Sequence, residues 1–371
     1  MNVDILIIGA GAVGCVAAER AASRGYKVLI VEKRKHIAGN CYDEFFKNGV
    51  LIHKYGPHYF RTDDRLLFNY LSRFTEWIPG NYIVKSSVQG RLYPFPINLT
   101  TLEKFFHLDS LSPKDAKRLL SAKKIKKRNP TSSEEFVLSQ IGEELYRAFY
   151  LGYTLKQWDR HPSELAVSVC KRIPVRFNRD ERYVDQKYQC MPKNGYTKMF
   201  EKMVKHPKIK IWTGTPYQTI KHALRPKYAT IYCGPLDEYF GFCFGKLPWR
   251  SLKFQFRIKK QEFVQPCVQI NYPDENLYTR TVEIKHVTGQ NHPETVLSYE
   301  YPTDGKEPYY PVPTCDRTML LQYKKLARKE TLQHKIYFAG RLAEYRYINM
   351  DEAFNKGLHI LDRIERDLMT S

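Results

Sequence analysis

Val3-Asp4-Ile5-Leu6-Ile7-Ile8-Gly9-Ala10-Gly11-Ala12-Val13-Gly14 opens the chain with an apolar run, broken by one acid and closed on three glycines. So short an apolar run, bounded by glycine, reads as a buried parallel strand over 3–9. Residues 12–24 are Ala-rich with helical spacing, and 27–32, KVLIVE, form a second strand. Strand, turn, helix and strand close within about thirty residues, the minimal half of a mononucleotide-binding fold. In G-x-G-x-x-G, Gly9 permits the tight turn, Gly11 lets the backbone approach a pyrophosphate, and Gly14 lets helix and strand pack closely. The phosphates would rest on unpaired helix amides. Glu32 ends the second strand, where it can accept from both hydroxyls of an adenosine ribose. An acid at that point disfavours the 2′-phosphate of NADP and leaves FAD or NAD.

The continuation favours FAD. Glu32-Lys33-Arg34 runs on to Ala38-Gly39-Asn40, which resembles the second phosphate-side loop of glutathione-reductase-type flavoproteins. Near the C-terminus, Ile336-Tyr337-Phe338 followed by Ala339-Gly340-Arg341 resembles the flavin element of the same superfamily. There a helix N-terminus faces the pyrimidine edge of the isoalloxazine and stabilises negative charge on the reduced ring. The expected FAD contacts are Gly9, Gly11, Gly14, Glu32, Lys33, Gly39, Asn40, His58, Gly340, Arg341 and Met350.

Composition bounds the rest. A chain of 371 residues, 43% hydrophobic, is long enough for two or three domains. The N-terminal apolar run is too short for a signal segment, and no other stretch approaches about eighteen apolar residues. A soluble, cytoplasmic protein without a membrane span is expected. The eight cysteines form no C-x-x-C pair and the histidines no H-E-x-x-H, so neither a metal nor a disulfide framework is expected. Sixty basic against 39 acidic residues give +21, which asks for an anionic substrate or a polyanion. The densest run, KDAKRLLSAKKIKKR over 114–128, reads as a solvated helix face, and no nucleic-acid partner is expected. With 27 Tyr and 20 Phe, aromatics near scattered arginines suit nucleobase stacking as well as core packing.

Helical spacing recurs over 65–74, 102–107, 113–127, 133–149 and 197–206, and 174–188 looks irregular. Residues 209–212, 228–233 and 336–338 read as strands, 251–301 alternate as an antiparallel sheet, and 351–367 close the chain as a helix. The expected fold is α/β: a Rossmann-type FAD-binding domain with a helical insertion domain and an antiparallel β-sheet domain. The FAD-binding domain would be assembled from 1–65, 191–240 and 326–371. The helical substrate domain would span 66–165, a mobile loop and sheet entry 166–190, and the sheet domain 241–325.

Ordered blocks along almost the whole chain resemble bacterial UDP-galactopyranose mutases. They are His53-Lys54-Tyr55-Gly56-Pro57-His58, Gly152-Tyr153-Thr154 with Gln157-Trp158, Lys171-Arg172-Ile173-Pro174-Val175-Arg176, and Gly195-Tyr196-Thr197. Further on come Gly234-Pro235, Arg250-Ser251-Leu252-Lys253-Phe254, Tyr278-Thr279-Arg280, Glu307-Pro308-Tyr309-Tyr310-Pro311 and Gly340-Arg341-Leu342-Ala343-Glu344-Tyr345. The resemblance implies that Arg172, in a mobile loop, and Arg280, opposite it, are the catalytic arginines and clamp a pyrophosphate with Tyr310 and Tyr347. Guanidinium forks suit paired phosphate oxygens. Phe149, Tyr150, Thr154, Trp158 and Tyr183 would contact the nucleotide, with Tyr150 a face for uracil; Arg250, His58, Arg61 and Asn349 complete the expected substrate contacts.

The implied chemistry has no net redox change: N5 of the reduced flavin forms an adduct with the anomeric carbon, UDP leaves, and the sugar recloses as a furanose. An external reductant, NAD(P)H or a reductase, and a homodimer are expected. Three positions depart from the family pattern. Arg61 stands where His is common, Asn349 where Asp is common, and Ala38 where Gly is common. They leave open the same chemistry on UDP-N-acetylgalactosamine or dTDP-fucose. A flavin amine-oxidase-like oxidoreductase would share the N-terminal fold but would have no use for Arg172, Arg280 and Tyr310.

Overall fold

The computed structural model describes residues 2–305 and 307–370. Five parallel strands stand in the order Ile209–Trp212, Val28–Val31, Ile5–Ile8, Ala229–Tyr232, Ile336–Phe338. The three inner strands are buried along their whole length, whereas Ile209–Trp212 at the edge is half-exposed and carries Lys210. This is how continuous Ile/Val/Leu runs are used when helices cover both faces of a sheet. The helix Ala12–Ser23 lies against the closing helix Met350–Met369. Their axes approach closely at Gly357, where a Cβ would lie 2.7 Å from Val16 Cβ and 2.8 Å from the Val13 carbonyl oxygen. On the other side of the same helix, a Cβ on Gly14 would lie 2.0 Å from the Gly9 carbonyl oxygen, so only glycine fits the turn.

A seven-stranded sheet runs Tyr310–Pro311, Trp249–Lys259, Thr295–Thr303, Arg280–Val282, Gln269–Asn271, Val84–Val88, Arg91–Phe95. Its pairings are antiparallel except one: Gln269–Asn271 meets Val84–Val88 in parallel. A three-stranded sheet, Phe60–Thr62, Tyr188–Pro192, Trp77–Pro79, and the short pair Asp43–Phe45 with Leu51–His53 complete the strands.

The α/β class and its Rossmann and antiparallel parts hold, and three details correct the sequence reading. The hairpin Val84–Val88/Arg91–Phe95 falls inside the segment expected to be helical; it turns at Gln89-Gly90 and extends the large sheet. Its polar sequence, VKSSV, hides the strand because Ser86 and Ser87 are buried. The helix Thr318–His334 escapes the periodic reading because it buries only Leu320, Tyr323 and Thr331. The helix read over 133–149 breaks: Ser133–Tyr146 is followed by a π turn, Arg147–Leu151, and then by Gly152–Trp158. The wider turn rotates Phe149 and Tyr150 toward the same side as Tyr153 and Thr154, and π turns are common at functional sites.

Candidate active site

Two cavities meet at the carboxyl ends of the parallel strands. The first, of about 1250 Å³, is lined by the glycine turn, Glu32 to Arg34, Ala38 to Cys41, Thr215 to Tyr217, Cys233 to Pro235 and Gly340 to Leu342. Each Glu32 oxygen accepts a backbone N–H, Oε2 from Ala10 and Oε1 from Arg34, both at 2.8 Å. These bonds fix the carboxylate at the cavity wall and leave each oxygen a further lone pair. Among the described residues no side chain caps the helix Ala12–Ser23, so its first amides face the cavity open to an anion. Ala38 is fully buried with φ 73°, a left-handed conformation that glycine adopts at no cost. Lys33 and Arg34 both pair with Glu307, at 2.9 and 2.8 Å, tying this rim to the large sheet.

The second cavity, of about 1280 Å³, lies between the π turn, the irregular segment after Arg172 and one face of the large sheet. His58, Arg341, Asn349 and Met350 line both cavities and are the wall where a bound cofactor and a bound substrate would meet. Asn349 and Met350 begin the closing helix, so its positive end points at that junction.

Four guanidiniums line the second cavity: Arg172, Arg280, Arg341 and, from the strand Phe60–Thr62, Arg61. Arg280 donates from Nε to Glu300 at 2.8 Å, and that carboxylate is fully buried. Burial pushes the Glu300 carboxyl up, and Arg280 holds it down in part. Arg172 is exposed to the cavity mouth, with its Cζ 4.4 Å from the centroid of the Tyr347 ring. Arg341 lies 5.3 Å from the same ring, and Tyr310 stacks on it at 5.5 Å. Burial works against ionising the Tyr347 phenol, but Arg172 and Arg341 outweigh it and bring it down to about 8.

His58 is held neutral: burial lowers it to about 3, with neighbouring His53 acting in the same direction. Its Nδ1 lies 2.9 Å from the Gly56 carbonyl oxygen, which fixes the proton on Nδ1 and leaves Nε2 as an acceptor. The His58 amide in turn donates to His53 Nδ1 at 3.0 Å.

Every residue expected to contact the cofactor lines the first cavity. Phe149, Tyr150, Thr154, Trp158, Tyr183, Tyr310, Tyr347, Asn349, Arg61 and His58 line the second, with Arg172 and Arg280. Arg250 does not. It is buried, donating to Asp304 and to the carbonyls of Gln157 and Lys156, and so staples the helix Gly152–Trp158 to the sheet. Its Nε, Nη1 and Nη2 are all engaged in these bonds, so no part of the guanidinium is left for phosphate, whereas among the described residues Arg280 spends only Nε on Glu300 and keeps both Nη groups. Sequence reasoning missed Tyr59, Tyr82, Gln269 and Asn271 on the cavity wall. They sit on strands or loops whose cavity-facing side no spacing rule reveals, although Tyr153 and Tyr309 lay within quoted blocks.

A family model described as UDP-galactopyranose mutase matches residues 148–347, and one described as an NAD(P)-binding Rossmann-like domain matches 7–74. A probable UDP-galactopyranose mutase of Klebsiella pneumoniae is 39% identical, covering 97% of this chain and 94% of its own. The dTDP-fucopyranose mutase of Escherichia coli is 37% identical, covering 95% of this chain and 96% of its own. A solved structure of reduced UDP-galactopyranose mutase superposes with a TM-score of 0.78 at 18% identity, covering 99% of this chain and 94% of that one. A putrescine oxidase structure reaches 0.61 at 13% identity over 99% of both chains, so the fold alone does not separate a mutase from an oxidase. The sequence relationship does: matched over 148–347 by the family model and 39% identical to a relative along 97% of its length, the chain belongs to the UDP-galactopyranose mutase family of isomerases.

Proposed function

We propose that this enzyme interconverts the pyranose and furanose forms of a nucleotide sugar, most simply UDP-galactose, with FAD in the glycine-turn cavity. One observation carries the reading: a cavity with Arg172, Arg280 and Arg341 opens onto a wall of His58, Arg341, Asn349 and Met350 that it shares with the glycine-turn cavity. The glycine turn, the uncapped helix and Glu32 suit the ADP half of FAD. Bound and reduced, FAD would supply the nucleophile for the anomeric carbon. The protein's own part is binding and placement. Arg172 and Arg280 hold the pyrophosphate through binding and departure, Tyr150 and Trp158 enclose the base, and neutral His58 offers an acceptor at the junction. An oxidase would gain nothing from a cationic substrate cavity. An external reductant, a cytoplasmic location and a homodimer belong to the same proposal.

The sugar itself is the finer question, since the galactose- and fucose-directed relatives are 39% and 37% identical. The Arg61 side chain lines the cavity with no ion pair or hydrogen bond among the described residues, and it offers more donors than a His would. It suits a sugar with an additional acceptor, such as a 2-acetamido carbonyl, so UDP-N-acetylgalactosamine belongs in the assay beside UDP-galactose and dTDP-fucose. Dithionite-reduced enzyme should interconvert its substrate through many turnovers per electron pair. Equal activity of the fully oxidised enzyme would sink the reading. A substrate preference unchanged by Arg61→His would remove Arg61 from the specificity argument.

A further inference from the structure

The charges in the substrate cavity do not balance. Among the described residues Arg280 has a carboxylate partner, Glu300, but neither Arg172 nor Arg341 forms an ion pair. Both flank one phenol, Tyr347, with Arg172 4.4 Å and Arg341 5.3 Å from its ring centroid. Tyr310 covers the ring at 5.5 Å with the planes 28° apart. Arg280 adds its field from the sheet side, and Tyr183 and Tyr153 face Arg172 from the irregular segment and the helix after the π turn. Glu300 is the acid nearby and is already bound to Arg280. His58 carries no charge to oppose them.

We propose that on the alkaline side of neutrality Tyr347 is the stand-in anion of the substrate-free enzyme: as phenolate it balances Arg172 and Arg341, and it takes up one proton from solvent when the pyrophosphate of a nucleotide sugar displaces it. This rests on the pyrophosphate reading of the cavity. The phenol's acidity agrees with it: burial opposes ionisation, and Arg172 and Arg341 still bring the group down to about 8. A pyrophosphate diester puts two negative charges on those arginines, so the attraction that favoured the phenolate becomes repulsion and the phenol regains its proton. The sign follows from linkage. The free enzyme ionises near pH 8 and the complex well above it, so binding takes up no proton at pH well below 8. Above about pH 8 affinity should fall by up to about tenfold per pH unit. Where the phenol is ionised, the phenolate would hold Arg172 in position before substrate arrives and release it to the phosphates on binding.

The test is calorimetric titration of oxidised, FAD-loaded enzyme with UDP-galactose and dTDP-fucose, at neutral pH and one unit above the phenol's value. Running each titration in buffers of different ionisation heat counts the protons. Uptake approaching one proton at the higher pH, absent at neutral pH and absent in Tyr347→Phe, supports the proposal. Lys156, lowered by burial to about 8, lies outside the cavity on the carbonyls of Asp274 and Asn276 and would not lose its signal in that variant. Uptake that persists in Tyr347→Phe overturns the proposal. Should the variant not fold or bind, near-ultraviolet difference spectra of the wild type decide. One tyrosinate appearing early in a pH titration and erased by nucleotide sugar supports the proposal, and its absence overturns it. Binding without proton uptake overturns this proposal alone; failure of both nucleotide sugars to bind at neutral pH overturns the pyrophosphate reading and this with it.

Discussion

Arg172 and Arg280 carry the same charge into the same cavity but stand in different surroundings, and their removal should separate on that account. Arg172 is exposed, and its Nε donates to the Val169 carbonyl at 3.2 Å, so Arg172→Ala should cost under about 0.5 kcal/mol of stability. Arg280→Ala abandons a fully buried Glu300, which costs about 3–5 kcal/mol when a buried pair loses one partner. Both should lose about 2–5 kcal/mol of transition-state binding, read from kcat/KM, while retaining FAD. Glu300 is already pushed up by burial, and without Arg280 it rises further. A carboxyl raised in the fold destabilises it as pH climbs through that value, so the Arg280→Ala deficit should be largest at neutral pH and shrink on acidification. Urea denaturation of both variants at neutral and mildly acidic pH checks this; equal stability losses would refute the assigned surroundings. At this scale the residues that line the glycine-turn cavity were legible because glycine and Glu32 in a strand–turn–helix frame have few other uses. Arg250 was not, because the sequence does not show that Asp304 and two carbonyls take its guanidinium.

Between elements, the packing of Ala12–Ser23 on Met350–Met369 depends on Gly357, where a methyl group would sit 2.8 Å from the Val13 carbonyl oxygen. Gly357→Ala should therefore cost about 1–3 kcal/mol despite alanine's better helix propensity. It should also weaken flavin retention, because Val13 and Met350 line the cofactor cavity. Denaturation midpoints and flavin absorbance after gel filtration measure both; a variant as stable as wild type would show that the helices can separate without loss. The same scale explains the missed hairpin. Val84–Val88 reads as polar because Ser86 and Ser87 are buried on a sheet that other, distant strands complete. One partner of this strand, Arg91–Phe95, is local, but the other, Gln269–Asn271, comes from far along the chain, and local periodicity carries no trace of it.

Across the whole molecule, the glycine-turn cavity gathers residues from 8–41, 215–238 and 340–353 together with His58, and the arginine-lined cavity shares four of its lining residues. Ligands should therefore stabilise in order. Deflavinated protein should gain several degrees in Tm on FAD addition, since a ligand at about a hundredfold its Kd adds about 2.7 kcal/mol. UDP-galactose should raise Tm more after FAD than before it; an equal rise without FAD would mean that the two cavities are independent. The sequence by itself determined the Rossmann start, its acid, the C-terminal strand and the turn after it that lines the glycine-turn cavity, and the family. Those features are written in local order: apolar run, glycine spacing and block sequence need no distant partner to be read. Only the tertiary structure decided that Val84–Val88 joins the sheet, that Arg250 is a staple, and that Arg172 and Arg341 close on Tyr347. Each of these turns on which charges and faces meet across long sequence separations, and that is settled by packing and desolvation rather than by spacing.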